Sequence, residues 1–268
     1  MSGVSIMIEL EGVSKIYSRG FIRREQTVAV DNVTLSVKKG ESLGLVGESG
    51  SGKSTLGRLA LRLIEPTSGT VRFDGRELSC LSRTELRCIR PRMQIVFQDP
   101  DTALDPRMTV KDCIAEPMKV WHLALPVEQK KRIIELMDLV GLQPDLIDRY
   151  PFELSGGQKQ RVALARVLAL KPDFIVADEP TAALDLSVQA QILALIKKIQ
   201  RSTGLTLLFI SHDLQVIGQM SDTVAVMHKG KIVEQGRTRD VLDSPKNFYA
   251  RHLVEAAYES SAWMGKKR

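Results

Sequence analysis

The sequence predicts an α/β fold with a largely parallel sheet covered by helices on both faces. Two observations carry this. Short apolar runs alternate with stretches of helical spacing. Two of those runs also end in residues suited to a charged ligand, and open α/β sheets bind ligands at the carboxyl ends of their strands. The first run, Ser42–Val46, leads into Gly47-Glu48-Ser49-Gly50-Ser51-Gly52-Lys53-Ser54-Thr55. The second, Phe174–Ala177, leads into Asp178-Glu179.

Taken in order, Ile6 to Leu10 alternates weakly and reads as a strand, followed by Val13-Ser14-Lys15-Ile16-Tyr17. Thr27 to Val37 reads as one or two further strands, closed by Lys38-Lys39-Gly40. After the glycine-rich loop, Leu56, Leu59, Ala60 and Leu63 form one helical face that ends at Glu65-Pro66-Thr67-Ser68-Gly69. A short strand spans Thr70 to Phe73, and Ser82 with Glu85 makes a capping box for the next helix. Met93 to Phe97 is an apolar strand leading into Gln98-Asp99-Pro100.

From there to Tyr150 prolines punctuate short helical patterns, the best of which carries Ile133, Leu136, Met137 and Val140 and stops at Gly141. This reads as a mostly helical insertion over residues 99–153. Alternation then resumes, with a helix from Gln158 to Leu170, the strand at Phe174, and a helix carrying Val188, Ile192, Leu195 and Ile199. A strand from Leu205 to Ile210 and a hairpin-like pair across His228-Lys229-Gly230-Lys231 follow. The last stretch is helical in pattern around Leu253 and ends in Lys266-Lys267-Arg268.

The glycine-rich loop has the spacing G-x-x-x-x-G-K-[ST] between strand and helix, which is the context of a phosphate cradle. Glycines let the backbone N–H groups of roughly Glu48 to Ser54 converge on an anion, and the helix adds its positive dipole end. Lys53 supplies a point charge for the β- and γ-phosphates, Ser54 a hydroxyl for Mg²⁺, and Thr55 a contact to the α-phosphate. Asp178 would hold Mg²⁺ largely through its water shell, and Glu179 would polarise an attacking water. Without the phosphate loop, those two acids read as a solvated turn before Pro180. Leu154-Ser155-Gly156-Gly157-Gln158 opens another helix, either as a plain Ser155 cap or as a second anion-facing N-terminus.

Composition sets the frame. The 268 residues are 43% hydrophobic and 26% charged, ordinary for a globular protein with a substantial core. The net charge of +6 fits an anionic ligand, an anionic membrane surface or nucleic acid, and equally a mildly basic solvated surface. Three cysteines without metal-ligand spacing argue for buried thiols in a reducing compartment. No basic stretch leads into an apolar one at the N-terminus, and no apolar run reaches spanning length, so membrane attachment is expected through partners.

Taken together, these motifs resemble the ATP-binding cassette (ABC) ATPases. Leu154–Gln158 is similar to that family's signature sequence, standing between a Walker A loop at Gly47–Thr55 and a Walker B strand at Phe174–Asp178. The resemblance reaches to about Gly236. It implies a P-loop NTPase (RecA-like) core, an N-terminal antiparallel β-subdomain, an inserted helical subdomain and a C-terminal helical extension over 241–268. It also implies a head-to-tail pair of cassettes, identical or paralogous, with ATP between one subunit's Lys53 loop and its partner's Ser155, Gly156, Gly157 and Gln158.

Further roles follow from the family alone. Tyr17 matches the aromatic that stacks on adenine, though by itself it is a strand-end tyrosine. Gln98 matches the glutamine that senses Mg²⁺ and the γ-phosphate and connects to the membrane partner. Asp185 matches the loop crossing the dimer interface, and His212 the histidine that contacts the γ-phosphate. A Ser211-His212-Asp213 relay is excluded, because consecutive side chains cannot form its geometry.

The stretch Phe97-Gln98-Asp99-Pro100 through Glu116-Pro117 looks like the ATPase subunits of oligopeptide, dipeptide and nickel importers. That narrower resemblance implies two permease subunits, an external solute-binding protein reached indirectly, no nucleic acid, and a peripheral position on the cytoplasmic face of the membrane. Departures from that group are Asp105 in place of Asn, Ala182 in place of Ser, and Asn247-Phe248-Tyr249 in place of His-Pro-Tyr. The rival expectation is a soluble ABC ATPase acting on nucleic acid or ribosomes. A single cassette without a heptad stretch or zinc-finger spacing weighs against it.

Overall fold

A computed structural model of the chain describes residues 5–19, 25–123 and 126–265; Lys266-Lys267-Arg268 lie outside them. The strands are β1 (Ile6–Arg19), β2 (Glu25–Lys38), β3 (Ser42–Val46), β4 (Ser68–Phe73), β5 (Arg76–Glu77), β6 (Met93–Val96), β7 (Phe174–Asp178), β8 (Thr206–Ser211), β9 (Thr223–His228) and β10 (Lys231–Arg237). The helices are α1 (Lys53–Ala60), α2 (Arg83–Ile89), α3 (Val110–Val120), α4 (Pro126–Leu139), α5 (Gly156–Leu168), α6 (Leu186–Thr203), α7 (Leu214–Met220), α8 (Thr238–Asp243) and α9 (Phe248–Gly265). Two compact units emerge, one from the chain up to Arg83 and again from Thr206 onward, the other from Thr84–Leu205.

The first unit holds an antiparallel sheet in the order β2-β1-β4-β5. The two alternating stretches at its start are one long strand, β1, paired with an equally long β2 through several register shifts. Gly12 sits at one shift with φ +59°, and its N–H donates to the Thr34 hydroxyl, so the break in alternation is a bulge inside one strand. The same unit places β3 between β8 and β9, parallel to both, with β10 antiparallel to β9. Every residue of β3 and β8 is buried, which is why both read as continuous apolar runs.

In the second unit β6 and β7 pair in parallel, and α5 packs on α3, α4, α6 and β6. Its core is built from Val110, Ile114, Leu136, Val140, Val162, Ala165, Phe174, Val176 and Ile192, each fully buried or nearly so. Between Pro100 and Glu153 the chain forms α3, α4 and three short 3-10 turns, each turn with a proline in its opening residues. Proline lacks the N–H that a helix interior needs but fits its first turn. Pro117 is the exception, lying inside α3.

Candidate functional site

The glycine-rich loop runs from the end of β3 into α1. Gly52, at φ +108°, is the cap residue of α1, and a Cβ there would lie 2.2 Å from the Ala29 carbonyl oxygen. A Cβ at Gly47 would lie 2.1 Å from the Met227 carbonyl oxygen. Gly50 differs: its φ is +78° and the space around it is open. The two outer glycines are thus required by close packing on β2 and β9, the middle one by backbone conformation.

Lys53 is only 5% exposed. Its ammonium donates to the carbonyl oxygens of Gly47 (2.7 Å) and Glu48 (2.8 Å), so the loop curls around its own lysine. The Ser51 hydroxyl is buried with no hydrogen-bond partner among the described residues. A buried hydroxyl without a partner costs about 1–3 kcal/mol, so this position suits a ligand oxygen. Ser54 and Thr55 are half-buried in the first turn of α1, while Glu48, Ser49 and Gly50 are exposed.

In the same unit β8 ends at Ser211, whose hydroxyl accepts from the Asp213 N–H at 3.0 Å. The Asp213 carboxylate caps α7 by accepting from the Gln215 and Val216 N–H groups at 2.7 and 3.4 Å. Both flanking side chains are thereby occupied with backbone, and His212 between them is exposed. Tyr17, on β1, is 42% exposed, and the Lys15 ammonium lies 5.3 Å from its ring centroid while donating to the Glu65 carbonyl.

The second unit carries the remaining candidates. Asp178 is the last residue of β7 and 6% exposed; Glu179 follows at φ +48°, a left-handed conformation uncommon for a residue with a Cβ. Such backbone costs of order 1–3 kcal/mol and collects at functional sites. It turns the half-buried Glu179 out of the strand direction, and its carbonyl accepts from the Ala182 N–H at 3.2 Å. Gln98, exposed, lies just beyond β6, the strand parallel to β7.

Ser155 caps α5 through a reciprocal pair, its hydroxyl accepting from the Gln158 N–H and its own N–H donating to the Gln158 side chain at 2.8 Å. Helix α5 therefore begins two residues earlier than apolar spacing predicts, with Gly156 and Gly157 as its first turn. Ser155 and Gly156 are exposed, while Gly157 is buried against Val188 of α6. Asp185 caps α6, accepting from the Val188 N–H (2.9 Å) and the Ser187 hydroxyl (2.8 Å), and these bonds hold its carboxyl below the usual carboxylate range.

Sequence reasoning overlooked the β9–β10 turn under the loop. The Gly230 N–H donates to the Ser51 carbonyl and the Gly230 carbonyl accepts from the Asp31 N–H, both at 2.9 Å. It also overlooked Tyr249, whose ring lies against His228 with centroids 3.8 Å apart. The Lys229-Gly230 turn signal was present, but nothing local said what it supports. Among the described residues no cluster of three or more His, Cys, Asp or Glu can hold a metal ion, and no helix is long and apolar enough to cross a membrane.

Comparison with known proteins gives the family and the fold. Residues 30–182 match the family described as ABC transporter. The oligopeptide transport ATP-binding protein OppF of Lactococcus lactis is 47% identical over 88% of this chain and 75% of its own length. OppF of Streptococcus mutans is 43% identical over 98% and 85%. Among solved structures, the dimeric post-hydrolysis state of the ATP-binding cassette MJ0796 bound to ADP and Pi has a TM-score of 0.78 at 33% identity, covering 87% of this chain and 99% of its own. CbiO1 of Clostridium perfringens, part of the transporter complex cbiONQ, has a TM-score of 0.79 at 29% identity over 98% and 99%. A cassette-type P-loop ATPase is the class of protein that fold and site define. The chain belongs to the ABC transporter family, and its α/β P-loop architecture and ATPase class follow from that membership.

Proposed function

We propose that this chain is the ATP-binding subunit of a peptide importer, peripheral on the cytoplasmic face of the membrane. It would pair head to tail with an identical or paralogous subunit and drive two permease subunits supplied by an external binding protein. The observation that carries this is likeness to oligopeptide transport subunits over nearly the whole chain, insertion included. Both relatives are oligopeptide transport proteins by name, so the expected choice of peptides or nickel narrows to peptides. They also leave a nucleic-acid or ribosomal role without support.

The chain's own residues suggest how it works. Lys53 exchanges its two carbonyl partners for ATP phosphates, and the unpartnered Ser51 hydroxyl finds an acceptor. Tyr17 offers an aromatic face to adenine. The Ser54 hydroxyl, Asp178 and Gln98 offer oxygen donors suited to Mg²⁺, whose chemistry is to neutralise charge building between the β- and γ-phosphates. Glu179 orients the attacking water and accepts its proton, and His212 holds the γ-phosphate. The exposed Ser155 and Gly156 at the start of α5 face the partner's nucleotide, and the exposed Asp185 meets the partner subunit. Release of phosphate removes the bridge, and the pair reopens.

The helical insertion 99–153 is the proposed permease contact. Within its unit, β6, α3 and α5 line a groove of about 270 Å³ that includes Ile95, Phe97, Val120 and Trp121. Arg166 crosses it, donating to the Glu116 carboxylate at 2.7 and 3.1 Å and to the Ala103 carbonyl at 3.2 Å. Such a groove with a polar floor, one residue from Gln98, suits a short amphipathic segment. The test is uptake of labelled oligopeptides in cells lacking this gene. Wild type should restore uptake and Glu179→Gln should not. Restored nickel uptake without peptide uptake would refute the reading.

A further inference from the structure

Tyr249, in the Asn247-Phe248-Tyr249 stretch, is the second residue of α9. Its hydroxyl accepts a hydrogen bond from the backbone N–H of Glu48, the second residue of the nucleotide loop, at 3.4 Å. Its ring is pinned against His228, at the end of β9. Residue by residue, the same corner supports the loop from below. Met227 closes on Gly47, and Gly230 donates to Ser51.

Tyr249 does not reach the loop by accident of a flexible tail. Its N–H donates to the Asn247 side chain at 2.8 Å. The N–H groups of Lys246 and Asn247 donate in turn to the Glu234 carboxylate on β10, at 2.9 and 2.8 Å. The next residue is packed as well: Ala250 is fully buried. A carboxylate on a sheet strand thus fixes the start of a helix, and that helix fixes a hydroxyl on the loop.

We propose that Tyr249 is a positioning residue for nucleotide binding, so that the C-terminal helix sets the affinity of the Lys53 loop for ATP. This rests on the ATPase assignment. The peptide unit that carries the Glu48 N–H is central to the loop, because its carbonyl, that of Gly47, accepts from the Lys53 ammonium at 2.7 Å. The Glu48 N–H, expected to face the anion, is thus held by Tyr249 instead, and freeing it lets that unit rotate and multiplies loop conformers in which the remaining N–H groups do not converge. Apparent affinity falls by the fraction of competent loop, while chemistry in the filled site is untouched. One hydrogen bond of ordinary net worth corresponds to an effect of about three- to tenfold.

The test uses the full chain and MgATP. Tyr249→Phe keeps the ring on His228 and removes only the hydroxyl. Glu234→Ala releases the helix start from a residue that does not touch the loop. Both should raise the KM and dissociation constant for ATP, Tyr249→Phe by about three- to tenfold with kcat within about twofold. In Tyr249→Phe, amide deuterium exchange should accelerate in the peptide holding residues 47–53 and not in β3 or β8. Unchanged affinity, loss of kcat at unchanged KM, or exchange accelerated evenly along the chain would each overturn the proposal. Wild-type protein that neither binds nor hydrolyses ATP would overturn the ATPase assignment itself.

Discussion

Gly157→Ala gives a prediction whose size can be worked from the packing of α5 on α6. A Cβ at Gly157 would lie 2.5 Å from Val188 Cγ1 and 3.7 Å from Val188 Cβ. Carbon contacts are comfortable at about 3.5–4.0 Å, so roughly one ångström of overlap must be relieved. Val188 cannot simply turn away, because a β-branched residue in a helix has one strongly preferred χ1. Overpacking of this kind costs about 1–3 kcal/mol, and the better helix propensity of alanine returns at most about 1 kcal/mol. A net loss of about 1–2 kcal/mol follows, a fall of roughly 2–8 °C in melting temperature for a protein of this size. The assay is a double-mutant cycle read by thermal melts. Gly157→Ala on a Val188→Ala background should cost almost nothing, leaving a coupling of about 1–2 kcal/mol. Strict additivity, or a Gly157→Ala protein as stable as wild type, would refute the packing argument.

Other outcomes are equally definite. Glu179→Gln should keep ATP affinity within a few-fold and lower steady-state turnover by about 10²-fold or more, measured by phosphate release. Tyr17→Ala should raise the ATP KM by about tenfold, since stacking of a base on an aromatic ring is worth about 1–3 kcal/mol, while Tyr17→Trp should bind as wild type does. The expectation of buried thiols holds for one cysteine of three: Cys80 and Cys88 are exposed and Cys113 is buried, with burial pushing its thiol up to about 11. A colorimetric thiol reagent at pH 8 should therefore titrate two thiols rapidly in native protein. The third should react on unfolding, or as pH rises toward 11, because only then does its thiolate form.

The strands were legible wherever burial was complete. Residues 42–46, 174–177 and 205–210 are largely apolar on both faces, and each forms a strand within one residue of the expected bounds. The start of the chain was less legible, because the bulge at Gly12 breaks period-2 alternation and makes one strand read as two. Apolar spacing alone begins α5 at Gln158, because glycine is a poor helix former, whereas the reading of Ser155 as a cap places Gly156 and Gly157 inside the helix, as observed. At the candidate site, the loop, the acids after β7 and the capped signature turn were all visible as local strings. Left-handed Glu179, the β9–β10 support and the Tyr249 contact were not, since each depends on backbone conformation or on residues far apart in sequence.

The central claim is that ATP is held between two cassettes of this kind and that its cleavage separates them. Light scattering or sedimentation of Glu179→Gln protein measures this directly, with and without MgATP and with and without a paralogous subunit. Addition of MgATP should convert single chains into a species of twice the mass, and removal of nucleotide should reverse it. Glu179→Gln protein that binds MgATP yet stays a single chain under every one of those conditions would contradict the account.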